Sequence, residues 1–280
     1  METLSRKKRT IYLIILAIVF VIGAPLLVLY SIGYRFDNTR FLVKTGGITV
    51  YVDNPNATVY INNTKERDTN FFQKTYFFQN IKPGNYNIRI EAPGMFPWES
   101  NVHVFPEYVS EAYALIVPEK VIFEEVLMVS KPILGADSGG ASINEVYSEY
   151  LETFAKINHL SNAGLSKVYK NIIAEKRGNN LSLIWNGKEE NAPYYFCGFL
   201  ECSKRVNVAL SGEVLDFDFF PHRDDVFLIL KSDGLYALAI DSEQNVQWFP
   251  LYVGTNLKFY IEDRDVLYVK DKERISRLQI

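Results

Sequence analysis

The chain has 280 residues, 48% of them apolar and 22% charged, with a formal net charge of −3. That length exceeds one average domain, and the composition suits a chain that buries a core. The first ten residues carry +3, through Arg6, Lys7, Lys8 and Arg9 against Glu2, leaving about −6 for the rest. A mildly acidic body has no electrostatic footprint for DNA or RNA, so nucleic-acid binding is excluded as an expectation. The aromatic content of 14%, mostly Tyr and Phe, favours strands over helices.

Residues 1–10 form a basic tail, and no charged residue occurs from Ile11 to Ile32. About 22 residues at a rise of about 1.5 Å make roughly 33 Å, enough to cross a hydrocarbon core of about 30 Å. Gly23 and Pro25 would disfavour a soluble helix, but membrane helices tolerate both. Tyr30 and Tyr34 fall where an interfacial aromatic belt belongs. The basic block precedes the segment, so residues 11–32 are expected to be a transmembrane helix with its N-terminus cytoplasmic and the C-terminal region extracytoplasmic. A cleaved signal peptide has an apolar region of about 7–15 residues and small residues at its cleavage site. Here the run is longer, and the bulky Leu26-Leu27-Val28-Leu29-Tyr30 occupies that place.

After a juxtamembrane linker at 33–45 the pattern switches to period two. Ile48, Val50 and Val52 alternate with Thr49, Tyr51 and Asp53, and Ala57, Val59 and Ile61 repeat the scheme. Pro55-Asn56 and Asn62-Asn63 are turn signals. Further strands are expected around Tyr76 and Phe78, Tyr86 to Ile90, Val102 to Val104, and Tyr113 to Val117. Short strands at this spacing indicate a small β-sandwich over 46–118.

The same stretch resembles a PEGA domain. That family runs from a strand to P-x-G-A, a V-Y-I-D-G hairpin, P-G-x-Y, then G-Y-x-x-W/Y and a last pair of strands. Pro55-Asn56-Ala57, Val59-Tyr60-Ile61-Asn62-Asn63, Pro83-Gly84-Asn85-Tyr86, Gly94-Met95-Phe96-Pro97-Trp98-Glu99 and Val102-His103-Val104 follow that order. The glycine of the name-giving motif is missing, Asn62-Asn63 stands for Asp-Gly, and Arg67-Asp68-Thr69-Asn70 replaces the family's G-x-T-P. Asn tolerates the left-handed backbone that such a turn requires. The resemblance implies a non-catalytic envelope module that binds or scaffolds. A strand alternating through Phe71, Phe72, Phe77 and Phe78 cannot send all four rings to one core. Either the neighbouring domain covers the remainder, or it forms an aromatic surface for protein or glycan.

A connector is expected over 119–165. Gly135-Ala136-Asp137-Ser138-Gly139-Gly140 reads as flexible, and Ser142-Ile143-Asn144-Glu145 as a capping box. Ile143, Val146, Tyr147, Tyr150, Leu151, Phe154 and Ile157 share one face of an amphipathic helix. From 166 to 280 strands return: Ile172–Glu175, Leu181–Trp185, Tyr194–Phe196, Val206–Leu210, Leu215–Phe220, Val226–Lys231, Gly234–Ile240, Val246–Tyr252, Leu257–Ile261 and Val266–Lys270. Two stretches repeat a strand, an Asp-rich turn and a second strand, which resembles the four-stranded blades of a β-propeller. About 115 residues supply two to three blades, whereas closure takes at least four. The unit is therefore expected as a propeller-like or stacked-sheet body, or as one completed by homo-oligomerisation.

Motifs for chemistry are sparse. Asp137-Ser138-Gly139-Gly140 matches the nucleophile loop of chymotrypsin-like proteases, but its upstream histidine, His103, sits in a Val-His-Val strand. Cys197 and Cys202, the two cysteines, are expected to form a disulfide outside the cytoplasm; a free buried pair is the alternative. A closed zinc site needs four ligands, and no histidine lies near them in sequence. His159 suits a helix C-terminus and His222 a turn after Pro221. Adjacent carboxylates (Glu124-Glu125, Glu189-Glu190, Asp224-Asp225) point to opposite faces of a strand, which does not suit a glycosidase. Asp263 and Asp265 read as a solvated turn rather than a Ca²⁺ site. No catalytic, cofactor-binding or metal-ligating set emerges. The chain is expected to be a mainly β, membrane-anchored envelope protein with a protein or glycan partner. An envelope enzyme acting on cell-wall polymer is the alternative.

Overall fold

The computed structural model describes residues 6–37, 41–128, 166–197, 201–241, 243–272 and 274–279. The expected amphipathic helix, the Asp137-Ser138-Gly139-Gly140 loop and His159 lie outside them. The molecule is mainly β with one N-terminal apolar helix. That helix, α1 (Arg6–Ser31), is 26 residues long, contains Pro25 and has no buried residue. It is long and apolar enough to span a membrane, as an anchor or a signal sequence is.

A two-stranded hairpin follows, β1 (Tyr34–Asp37) and β2 (Phe41–Lys44), in the stretch expected as a linker. Then comes a sandwich of two sheets. Its strands are β3 (Gly46–Tyr51), β4 (Thr58–Ile61), β5 (Thr64–Asp68), β6 (Thr75–Ile81), β7 (Gly84–Glu91), β8 (Trp98–Val104) and β9 (Val109–Tyr113). One sheet has the order β6-β3-β9, with β3 and β9 parallel, and the other β5-β4-β7-β8. Ile48, Val50, Val59, Ile88, Ile90, Trp98, Val102 and Val104 fill the space between them. Asn62 and Asn63 both take positive φ, as a two-residue type I′ hairpin between β4 and β5 demands. Gly46 is needed for close approach: a Cβ there would lie 2.2 Å from the Phe105 carbonyl oxygen.

The remaining strands make three four-stranded antiparallel sheets. β11 (Ser166–Tyr169), β12 (Ile172–Arg177), β13 (Asn180–Trp185) and β14 (Arg205–Ala209) form the first. β15 (Asp216–Phe219), β16 (Val226–Lys231), β17 (Gly234–Ile240) and β18 (Val246–Val253) form the second. β19 (Lys258–Glu262), β20 (Val266–Asp271) and β21 (Arg274–Gln279) belong to the third, whose fourth strand is β10 (Glu124–Met128). β10 lies in the stretch read as connector, and its pairing with β21 draws the chain on either side of the second unit together. Tyr194–Phe196, expected as a strand, is a single 3-10 turn instead. Pro193 supplies its N-cap and cannot donate to a ladder, and the turn drives Tyr195 and Phe196 into the core.

The second sheet explains the unbroken apolar run of β16. Phe227 and Ile229 pack with Leu238 and Ile240 against the first sheet. Val226, Leu228 and Leu230 point the other way with Leu235, Ala237 and Phe249, into one core that also contains the sandwich residues. A strand covered on both faces has no polar side to alternate with. Pro250 is accommodated because β18 is an edge strand, next to a register shift at Leu235/Tyr236.

Because the core is shared, truncation in the second sheet should loosen the sandwich as well. Leu228→Ala is expected to cost about 2–5 kcal/mol in urea unfolding and to speed amide exchange in β7 as well as β16. Unchanged β7 protection would mean that the two units unfold separately.

Candidate functional site

Three places gather functional side chains: the junction of sandwich and second unit, the place where the three sheets meet, and an aromatic tip on the sandwich.

At the junction, the Arg223 guanidinium donates from Nε to Asp225 Oδ1 and from Nη2 to Asp225 Oδ2, both at 2.7 Å. Asp225 is only 5% exposed. The same guanidinium reaches the sandwich, donating to the carbonyl oxygens of Tyr113 at 3.1 Å and Ala114 at 3.2 Å. The Tyr194 hydroxyl donates to Asp225 Oδ2 at 2.9 Å, and its ring stacks on Tyr113, which stacks on Tyr51. Burial first, then the Asp225 carboxylate, push the Tyr194 phenol well above its ordinary range, so it remains a donor. Burial and then Glu111 raise Tyr113 likewise.

Two hollows flank this node. One, of about 600 Å³, is walled by His103, Phe105, Ser110, Glu111, Tyr194 and Glu243. The Ser110 hydroxyl donates to the His103 carbonyl oxygen at 2.6 Å, and the His103 ring meets the Asn85 side chain. Serine and imidazole are thus each engaged, but not with one another. The other hollow, of about 630 Å³, is mainly apolar, walled by Leu115, Val117, Val121, Phe220 and Leu251, with Arg223 on its polar side.

Strands β11 and β15 and the turn after β19 bring charges together where the three sheets meet. Lys167 on β11 lies 3.3 Å from Asp218 on β15, and Arg264, in the turn after β19, lies 3.4 Å from the same carboxylate. Asp216 shares that face, and burial pushes its carboxyl upward, opposed by Lys167 and the Phe217 N–H. Asp263 and Arg264 both have positive φ in the β19–β20 turn, and Asp265 bonds to His222 Nε2 at 2.6 Å. Among the described residues no group of His, Cys, Asp or Glu is arranged to hold a metal ion.

The aromatic quartet separates. Phe78 packs against the core. Phe77 lies over Gly47, where a Cβ would come 2.6 Å from its ring. Phe71 and Phe72 are 78% and 96% exposed, so the neighbouring domain leaves them uncovered. They meet edge to face at 5.7 Å in a turn in which Asn70 Oδ1 accepts the Phe72 and Gln73 N–H groups. β3 and β6 run antiparallel with Gly46 opposite Ile81 and Tyr51 opposite Thr75. At about 3.3 Å per residue the tip therefore sits roughly 17 Å along the sandwich from the end that joins α1. Cys197 and Cys202 are bonded, S–S 2.02 Å, beside the first hollow.

The joint role of Arg223, Asp225, Tyr194 and Tyr113 at the junction has no local signal in the sequence. The spacing Arg-x-Asp places both side chains on one side of a turn, but nothing local announces that the pair spans two units. No known family profile matches the chain, and no curated protein shows significant similarity to it.

Removing one partner of a buried ion pair leaves the other uncompensated. Asp225→Ala is expected to cost about 3 kcal/mol in urea unfolding, and Arg223→Met/Asp225→Leu distinctly less. Equal losses would contradict the pairing argument. For Asp216 the raised folded-state pKa means that its contribution favours folding while protonated and declines as pH rises through the carboxylate range. Asp216→Asn should therefore raise the unfolding midpoint at about pH 7 and change it little at about pH 3.

Proposed function

We propose that this chain is a single-pass, membrane-anchored envelope protein whose extracytoplasmic β body binds or scaffolds without catalysis. The observation that carries the proposal is the position of Phe71 and Phe72. Two exposed rings stand at the end of the sandwich remote from an apolar helix of membrane-spanning length. Isolated exposed apolar residues are ordinary, but a paired aromatic tip on a hydrogen-bonded turn suits insertion into a protein or glycan surface. The basic block before α1 favours a cytoplasmic N-terminus. The bonded Cys197–Cys202 pair suits an oxidising compartment.

On this reading residues 46–118 are a PEGA-like module. The motif residues support it: Asn62-Asn63 turns between β4 and β5, Pro83-Gly84 opens β7, and Trp98 opens β8. The three four-stranded sheets, the last completed by β10, favour a propeller-like plan for the second unit. An enzyme acting on cell-wall polymer is the second reading, favoured by the hollow that holds His103 and Glu111.

Phe71→Ser/Phe72→Ser should leave folding intact, because both rings are exposed, and weaken binding of the full chain in nanodiscs to isolated cell-wall polymer or envelope proteins. Hot-spot aromatics each contribute about 2 kcal/mol, so a loss of at least tenfold is expected. Undiminished binding would reject the tip. Polymer cleavage abolished by His103→Ala or Glu111→Gln would establish the enzyme reading instead.

A further inference from the structure

The β1–β2 hairpin begins three residues after α1 ends, and it is held to the sandwich on two sides. Arg35 Nη2 donates to Asn80 Oδ1 at 2.6 Å, and Lys82 Nζ lies 2.8 Å from Asp37 Oδ1. From its other edge Lys44 Nζ reaches Glu107 Oε1 at 2.6 Å. The hairpin is also tied to the helix. Arg35 Nη1 donates to the Tyr30 carbonyl oxygen at 2.8 Å and its guanidinium lies 3.7 Å from the Tyr30 ring centre, while Thr45, donating from N and Oγ1 to Gly33 O, closes the base of the hairpin. An isolated two-stranded hairpin is marginal in water, so these ties give it a fixed attitude between helix and sandwich.

What the ties leave outside is apolar. In β1 the alternation sends Arg35 and Asp37 toward the sandwich strand β6 and Phe36 to the opposite face, with its cross-strand partner Leu42. Phe36 is 62% exposed and Phe41 73%, and the two rings meet edge to face at 5.5 Å. Phe41 holds φ +57°, a left-handed conformation that aromatic L-residues seldom adopt. With the apolar run of α1 ending at about Ile32, Phe36 is four residues beyond it. A strand rises about 3.3 Å per residue, so Phe36 stays within about 13 Å of Ile32 with the Phe41 ring against it, within reach of the headgroup region. Aromatic rings are favoured at that depth.

We infer that the paired strands β1 and β2 make a second membrane contact, in which Phe36 and Phe41 seat in the interfacial layer of the leaflet from which α1 emerges. It deepens the anchor reading and rests on it. Two points of attachment on a tied frame set the orientation of the sandwich and hold the Phe71–Phe72 tip away from the bilayer.

The test uses the full chain in vesicles of phosphatidylcholine and phosphatidylglycerol, spin-labelled in turn through Phe36→Cys, Phe41→Cys, Ile18→Cys and Phe72→Cys. The parent chain reports any background from Cys197 and Cys202. Power saturation with oxygen and a water-soluble nickel complex reads depth. The labels at 36 and 41 are expected to show an oxygen-to-nickel ratio several-fold above that at 72 and below that at 18. Ratios at 36 and 41 equal to that at 72, with 18 reading hydrocarbon, would overturn the hairpin contact and leave the anchor standing. A label at 18 that reads as aqueous as 72 would overturn the anchor and, with it, this inference.

Discussion

Burial of the β15–β18 sheet on both faces is the constraint around which the rest of the molecule is arranged. Phe227 and Ile229 serve one neighbour, while Val226, Leu228 and Leu230 serve two others, the third sheet and the sandwich. A sheet used in this way has no solvent side, so each neighbour must hold its place for the others to remain covered. Phe96 against Phe249 and Phe123 against Tyr252 extend the shared core to its rim. Sandwich and second unit are consequently parts of one apolar body.

Apolar packing is non-directional and would allow the two units to slide. The polar groups at the junction remove that freedom. Arg223 binds Asp225 with two parallel bonds and gives two further donors to carbonyls of the sandwich, so one planar group reads both units at once. Gln247 adds a second fixed point, donating to Pro97 O and accepting from Glu99 N. Tyr194 of the tyrosine ladder borders one hollow at the junction and Arg223 the other. Whatever enters either one meets groups contributed by both units.

The same logic of fixed attitude applies at the end that joins α1. The sandwich lies between its helix-proximal edge, where Gly46 must lack a side chain, and the far turn that carries Phe71 and Phe72. Because β3 and β6 are short and paired along their length, that distance is set by backbone geometry rather than by a flexible tether. The hairpin, bonded to both helix and sandwich, passes the direction of α1 on to the β body.

Features with a local physical cause were legible in the sequence. The apolar stretch 11–32, the period-two strands of the sandwich, the Asn62-Asn63 turn and the Cys197–Cys202 pairing each follow from neighbours within a few residues. The continuous run Val226–Leu230 announced a strand but not which neighbours would cover its two faces. Tertiary structure alone decided that β10 completes a sheet with β21 about 150 residues away and that Arg223 clasps the sandwich. It also decided which phenylalanines stay exposed, since alternation says that four rings cannot share one core but not which ones find cover. Periodicity reports the face a residue takes within its own element; what lies against that face depends on contacts between distant segments, which leave no local pattern.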